Sequence, residues 1–291
     1  MKSTVWILVL LLCSVAAGQA PPAAPPKPAA AKPATATSAP PAAIPQAKPD
    51  RESIDDMLSL SLFYWRPDHG KPGFRANKFI SDPATEFVNF TTKPNRANGG
   101  VFTFPTGGAN RLEIGYWQVH DSGDIRVPNR LFLLGAVIPS RERLSTEYKI
   151  TNLRLSWNYL TFPVPAFNAK LRVKSFWEFQ YTQIKPVIGF PDIEDNPSPL
   201  TPKYSVRYPG VGLGLEYVPS KHFRLEARGS GMTLPGRSRY VDVEATAVAR
   251  IKRLELFGGM KGYDFRTSVK SDPYMRGRLW GPMAGVRWVF R

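Results

Sequence analysis

Three observations on this 291-residue chain predict an all-β fold: a transmembrane, antiparallel up-and-down barrel of about ten strands (roughly 8 to 12), preceded by a disordered Pro/Ala-rich segment. The first is the closing segment, Arg278 to Arg291, where Trp280, Pro282, Ala284, Val286, Trp288 and Phe290 fall on one side and Met283, Gly285 and Arg287 on the other. Two indoles and a phenyl ring on one face suit hydrocarbon, and a guanidinium on the other suits a crowded interior. The second is that no apolar run beyond the N-terminus is long enough for a transmembrane helix, which leaves a closed barrel as the structure able to satisfy its backbone inside a bilayer. The third is a mean hydropathy of -0.25, as expected when every second strand residue faces a polar lumen.

The elements follow in chain order. Residues 1–18 read as a signal peptide: Lys2 is the positive start, Val5 to Leu12 the apolar run, and Ala16, Ala17 and Gly18 the small residues before cleavage. Cys13, the one cysteine, follows Leu12 where a lipoprotein signal has a small residue, so it is expected to leave with the signal. A mature chain without thiols excludes disulfide, thiolate and cysteine-metal chemistry. Residues 19–50 are almost wholly Pro and Ala, with Lys27, Lys32 and Lys48, and cannot bury a core. As a polyproline-like tether at about 3.1 Å per residue, the twenty-nine residues from Pro21 to Pro49 would reach roughly 90 Å into the periplasm. The tether is a plain spacer or a cationic contact for peptidoglycan or a periplasmic protein. Residues 51–291 form the barrel.

Ten candidate strands cover residues 57–65, 101–105, 110–119, 146–161, 169–185, 204–218, 222–231, 238–250, 253–266 and 279–291. Tight connections alternate with connections that are usually longer, as periplasmic turns alternate with external loops in membrane barrels. An even number places both termini in the periplasm. The apolar segment Leu131 to Ile138 is read as a hairpin extension of an external loop.

Charge assigns the faces. His222, Arg224, Glu226 and Arg228 oppose Phe223, Leu225, Ala227 and Gly229. Asp242, Glu244, Thr246 and Arg250 oppose Val241, Val243, Ala245, Ala247 and Ala249. Lys170, Arg172, Lys174 and Glu178 oppose Leu171, Val173, Trp177, Phe179 and Tyr181, and Arg154 and Asn158 oppose Leu153, Leu155, Trp157 and Tyr159. A one-residue slip would turn Arg224 and Arg228 to lipid at about 2 to 4 kcal/mol each near the midplane. The charged face, with Glu216 and Arg287, therefore points inward as a paired network or a pore lining. Gly210, Gly212 and Gly214 lie on the lumen face and make room for large inward groups. Trp157, Tyr159, Tyr217, Trp288 and Phe290 at one end, and Trp65, Tyr181 and Trp280 at the other, are expected to form aromatic girdles.

The signal peptide, the alternating strands and the ending Trp288, Val289, Phe290 resemble Gram-negative outer-membrane β-barrel proteins. That resemblance implies an outer-membrane location, contact with membrane lipids and lipopolysaccharide, and handling by the barrel assembly machinery, which reads an aromatic-ended last strand, here Trp288 and Phe290. In that family the aromatic is usually terminal, whereas Arg291 follows it here. No activity is implied by architecture alone.

The formal charge is +16, yet the basic residues are interleaved with acids along strands and form no basic helix, so nucleic acid is not an expected partner. Ten-stranded outer-membrane proteases resemble the chain in strand count but use an Asp-x-His arrangement. Here Asp68 directly precedes His69, and His120 directly precedes Asp121. The His-x-Ser motif of barrel lipid A deacylases and phospholipases is also missing, since Phe223 and Arg224 follow His222. No catalytic residue, cofactor or metal ligand is assigned, although His120 with Asp121 and Asp124 could hold a metal weakly. The expected role is an envelope scaffold or surface interaction protein with a charged, largely plugged lumen. The alternatives are a narrow anion-preferring diffusion channel, motivated by inward positive excess, and third a lipid A-modifying enzyme. The loop 66–100, basic and aromatic, and the acidic loop 186–203 are read as solvated loops or as a recognition surface.

Overall fold

A strand that alternates over its whole length can satisfy its backbone only by pairing at both edges, and a closed ring of ladders achieves this. The computed structural model describes residues 57–67, 70, 72–75, 87–90, 96–107, 110–127, 129–133, 136–164, 167, 170–191, 198–233, 238–267 and 274–290. The predicted signal peptide and tether lie outside the described residues. The strands are β1 (Ser59–Trp65), β2 (Gly73–Arg75), β3 (Phe87–Asn89), β4 (Ala97–Gly107), β5 (Asn110–Arg126), β6 (Leu131–Leu133), β7 (Ala136–Ile138), β8 (Arg143–Pro163), β9 (Leu171–Gly189), β10 (Tyr204–Ser220), β11 (Phe223–Thr233), β12 (Arg239–Ile251), β13 (Leu254–Arg266) and β14 (Met275–Val289).

Ten of them form the barrel, in the order β1-β4-β5-β8-β9-β10-β11-β12-β13-β14, with β14 pairing back on β1. Every neighbouring pair is antiparallel, and the seam runs from Ser59↔Val289 to Trp65↔Met283. The ten expected strands are the ten that close. The hairpin β2–β3 extends the sheet from β14, and β6–β7 is the separate hairpin expected at Leu131 to Ile138. The start of β1, the end of β14 and the four tight turns lie at one end of the barrel, called here the terminal end; the longer connections lie at the loop end.

Strands β5, β8 and β9 run further toward the loop end than alternation of a lipid-facing kind predicts, to Arg126, from Arg143 and to Gly189. The reason is an inversion of polarity between the two faces along each strand, while the parity that points inward stays the same. In β8, Leu153, Leu155 and Trp157 point outward while Arg154, Ser156 and Asn158 are buried inside. Nearer the loop end the same strand turns Leu144, Tyr148 and Ile150 inward and Arg143, Glu147 and Lys149 outward. Below the inversion the wall is greasy outside and polar inside, as lipid requires; above it, the wall is an ordinary water-facing sheet around an apolar core. The outward apolar stretch of β12, Val241 to Ile251, covers roughly 25 Å of bilayer at about 3.3 Å per residue and about 40° of tilt.

The outward aromatics include Tyr64, Trp157, Trp177, Tyr217, Trp280, Trp288 and Phe290. Trp65 is a correction to the expected girdle: it is fully buried and points into the lumen, and its neighbour Tyr64 takes the outward position. The lumen-face glycines do make room. A Cβ on Gly212 would lie 2.2 Å from the Phe176 ring, and one on Gly210 would lie 1.8 Å from the Tyr240 hydroxyl.

Candidate functional site in the barrel lumen

The interior is built in three layers. Nearest the terminal end is an ionic layer, assembled because β5 and β8 to β14 all turn their polar parity inward. Nine cations (Arg111, Arg154, Arg172, Lys174, Arg224, Arg228, Arg250, Lys261 and Arg287) share this half of the lumen with seven carboxylates (Glu113, Glu178, Glu216, Glu226, Asp242, Glu244 and Glu255). The inward positive excess among the described residues is thus two, a small part of the whole-chain charge of +16. The remainder of the charge lies elsewhere.

Arg228 reaches across the lumen from β11 to Glu113 on β5 at 2.7 Å and to Glu178 on β9 at 3.0 Å, with its guanidinium 4.5 Å from the centre of the Phe176 ring. Arg111 holds the other side of Glu113 at 2.9 Å. Arg154 on β8 meets Asp242 and Glu244 on β12 at 3.4 and 3.3 Å, and Lys261 on β13 holds the same two carboxylates. Arg224 grips Glu255 through both terminal nitrogens, at 2.8 and 2.6 Å, and Glu226 through Nε at 2.5 Å. Arg287 joins Glu226, Glu255 and Ser61. Lys174 pairs with Glu216, and Arg250 lies 3.8 Å from Glu255. Charges buried at this depth are tolerable only when paired and hydrogen-bonded, and here Glu113, Glu178, Glu226, Asp242, Glu244 and Glu255 each serve more than one donor.

A neutral polar layer follows. Asn152 donates to Gln180 and Thr182, each at 2.9 Å, and Thr182 and the Tyr263 hydroxyl lie 2.7 Å apart. Toward the loop end comes an apolar cap. Trp65 packs edge-on against Trp117 (5.5 Å between centroids), Trp117 against Tyr263 (5.1 Å), and Phe90 against both Phe74 and Tyr148. Ile150, Ile184, Leu279 and Phe265 fill the same core. Phe74 and Phe90 come from the loop 66–100: residues read as solvated or ligand-facing are instead turned inward by the β2–β3 hairpin and complete the core. Residues 192–197 of the acidic loop lie outside the described residues.

Of the predicted lumen residues, Arg154, Lys174, Glu178, Glu216, Arg224 and Asp242 are buried in the ionic layer, with Glu226, Arg228, Glu244, Arg250 and Arg287 partly buried beside them. Arg172 lies at the terminal rim, opposite Pro163. Lys170 is a correction: it precedes β9, and it is exposed in the turn that carries the Lys170–Phe167 backbone bond. Trp288 and Phe290 face outward at the terminal end, where Phe290 bonds the Leu58 carbonyl and extends the seam past β14. Lys261 was not singled out by sequence. Gly258, Gly259 and Gly262 around it blur the alternation, although parity with Glu255 and Phe257 was readable.

His120, Asp121 and Asp124, which could have held a metal weakly, do not converge. His120 points outward to Glu147 at 2.9 Å, Asp124 pairs with Arg143 at 2.5 Å, and Asp121 lies on the opposite face of β5. Among the described residues no group of three metal-ligating side chains converges. A cavity of about 110 Å³ remains inside the ionic layer, lined by Arg111, Arg154, Lys174, Glu216, Arg228 and Glu244 among others.

No family model and no curated protein matches the sequence. Solved structures do share its shape. The outer membrane protease OmpT from Escherichia coli aligns with 12% identity over 81% of this chain and 97% of its own, at a TM-score of 0.47. Ail, the attachment invasion locus protein of Yersinia pestis, aligns with 10% identity over 80% of this chain and 99% of its own, at 0.34. The Pseudomonas putida toluene transporter TodX aligns with 9% identity over 81% and 91%, at 0.31. These likenesses transfer no activity to this chain. The closed ring with a greasy exterior and a polar interior is itself the architecture of outer-membrane β-barrels.

Proposed function

We propose that the protein is a non-conducting outer-membrane barrel that acts as an envelope scaffold and presents its loop end as an interaction surface. The observation that carries this reading is the filled lumen: a cross-braced ionic layer in series with an aromatic cap. Ten strands enclose an interior only slightly wider than the eight-stranded barrels that side chains fill, so rigid paired groups suffice to block it. In this reading the terminal end with its tight turns faces the periplasm, and the extended β5, β8 and β9 wall stands above the outer surface.

The test is a planar-bilayer recording of the full-length protein. The expected trace is silent. Reproducible anion-selective steps, weakened by Arg172→Ala or Arg224→Ala, would replace the scaffold with a narrow channel. The cavity in the ionic layer is the feature that favours that second reading, because Arg111, Arg154, Arg228 and Arg287 line it together with carboxylates.

A further inference from the structure

We infer that the cavity inside the ionic layer is a binding site for one small monovalent anion of halide size, held as a resident ion of the lumen. The cavity measures about 110 Å³. Since roughly 10 to 15 Å³ suffices for one water, an ion and a few waters fit together. The polar lining is engaged unequally. All four carboxylates on it, Glu113, Glu216, Glu226 and Glu244, are held by cations of the layer. The donors are not all met. Arg154, 5% exposed, gives Nη1 to Asp242 and Glu244, but its Nε has no hydrogen-bond partner among the described residues. The same holds for Nδ2 of Asn158, 4% exposed. Both side chains come from the inward face of β8, four positions apart, and both line the cavity. A buried N–H without an acceptor is costly, so the site calls for an acceptor that these side chains do not supply.

Charge decides between water and an anion as that acceptor. Arg111 is matched by Glu113 and Lys174 by Glu216, and Arg172 lies at the rim. With those set aside, six of the nine cations and five of the seven carboxylates remain in the layer. Among the described residues the excess is one positive charge. An uncompensated charge away from bulk water is unfavourable, and one monovalent anion cancels it. A divalent anion would overshoot, and a cation would add to the excess and leave both N–H groups unmet. Phe176, Phe257 and Met283 make part of the wall apolar, which suits a weakly hydrated halide better than a strongly hydrated ion. Occupancy of this site is separate from passage: an ion resident in the lumen needs no open path through the aromatic cap.

The test is equilibrium urea unfolding of the full-length protein in detergent, at constant ionic strength, with sodium chloride exchanged for sodium gluconate, whose anion is too bulky for the cavity. An anion that binds only the folded state lowers the apparent unfolding constant by about tenfold at about 100 mM when its dissociation constant is about 10 mM. Wild type is expected to show a shift of that order. Asn158→Asp places a fixed negative charge in the anion's position, beside its cross-strand neighbour Arg111. It should stay folded in gluconate and lose the chloride dependence. Should it not fold, Asn158→Leu carries the test, with a smaller chloride shift than wild type. Crystals grown in bromide should give one anomalous peak within hydrogen-bonding reach of Arg154 Nε and Asn158 Nδ2. Equal unfolding of wild type in chloride and gluconate, or a chloride shift that Asn158→Asp leaves intact, would overturn the assignment and leave a water-filled cavity. Current through a planar bilayer would overturn the closed lumen and not this site, which the unfolding shift reads by itself.

Discussion

Lys261 shows how the ionic layer is held at the scale of a single residue. Its ammonium is 1% exposed, bonds Asp242 at 2.9 Å, also holds Glu244, and lies 5.7 Å from the centre of the Trp65 ring, so it joins the charged layer to the aromatic cap. Removing it leaves two buried carboxylates with Arg154 as their remaining cation. Breaking a buried pair from one side costs about 3 to 5 kcal/mol, because the surviving charge keeps its desolvation penalty without its partner. Lys261→Met is therefore predicted to destabilise the barrel by about that amount in urea unfolding followed by tryptophan fluorescence, and adding Glu244→Gln should recover part of it. A Lys261→Met barrel within about 0.5 kcal/mol of wild type would show that the layer is not a shared network. The carboxylates and most arginines of this layer were readable from alternation, since a charge in a lipid-facing register is too costly to place. Lys261 was harder to read because glycines carry no facing information.

Strand existence was legible and strand length was not, for a reason that belongs to the element. Within the bilayer, outward apolar and inward polar residues alternate, and Leu153 to Asn158 or Val241 to Arg250 announce their register unaided. Past the membrane edge the rule reverses. A run such as Ser122, Gly123, Asp124, Ile125, Arg126 still alternates, but it looks like a loop to a reading that expects grease outside. Trp65 was misplaced for a related reason, because an aromatic near a strand end suits either a girdle or a cap. Closure itself rests on the β1–β14 seam, which makes a sharp prediction about register. Leu62 is paired with Val286, and both face outward. In a background with Cys13 replaced, Leu62→Cys with Val286→Cys should form an intramolecular disulfide on oxidation, since opposite Cα atoms lie about 4.5 to 5.5 Å apart. Leu62→Cys with Arg287→Cys should not, because the two thiols would point to opposite faces of the wall. Equal crosslinking of the two pairs, read by gel mobility under non-reducing conditions, would mean that the seam slips.

At the scale of the molecule, the two fillings of the lumen act in series, and each is closed by a different physics. The ionic layer was foreseeable because charges on strands had to point inward. The cap was not, because Trp65, Phe74, Phe90, Trp117 and Tyr263 come from separate strands and a loop, and only the closed ring brings them together. An ion crossing the barrel would have to break a fixed network of ion pairs and then displace packed aromatic rings. Two barriers in series predict a non-additive response. Trp117→Ala with Tyr263→Ala opens the cap but leaves Arg228 braced between Glu113 and Glu178, so this variant should stay silent in a planar bilayer. Arg154→Ala with Arg228→Ala loosens the ionic layer but leaves the cap intact, and should also stay silent. The four substitutions together should conduct, and with two cations gone from a lumen carrying nine against seven carboxylates, the remaining charges balance at seven each and the current should show little preference between cations and anions. Conduction by the cap variant alone would assign closure entirely to the aromatic layer and reduce the ion pairs to a stabilising frame.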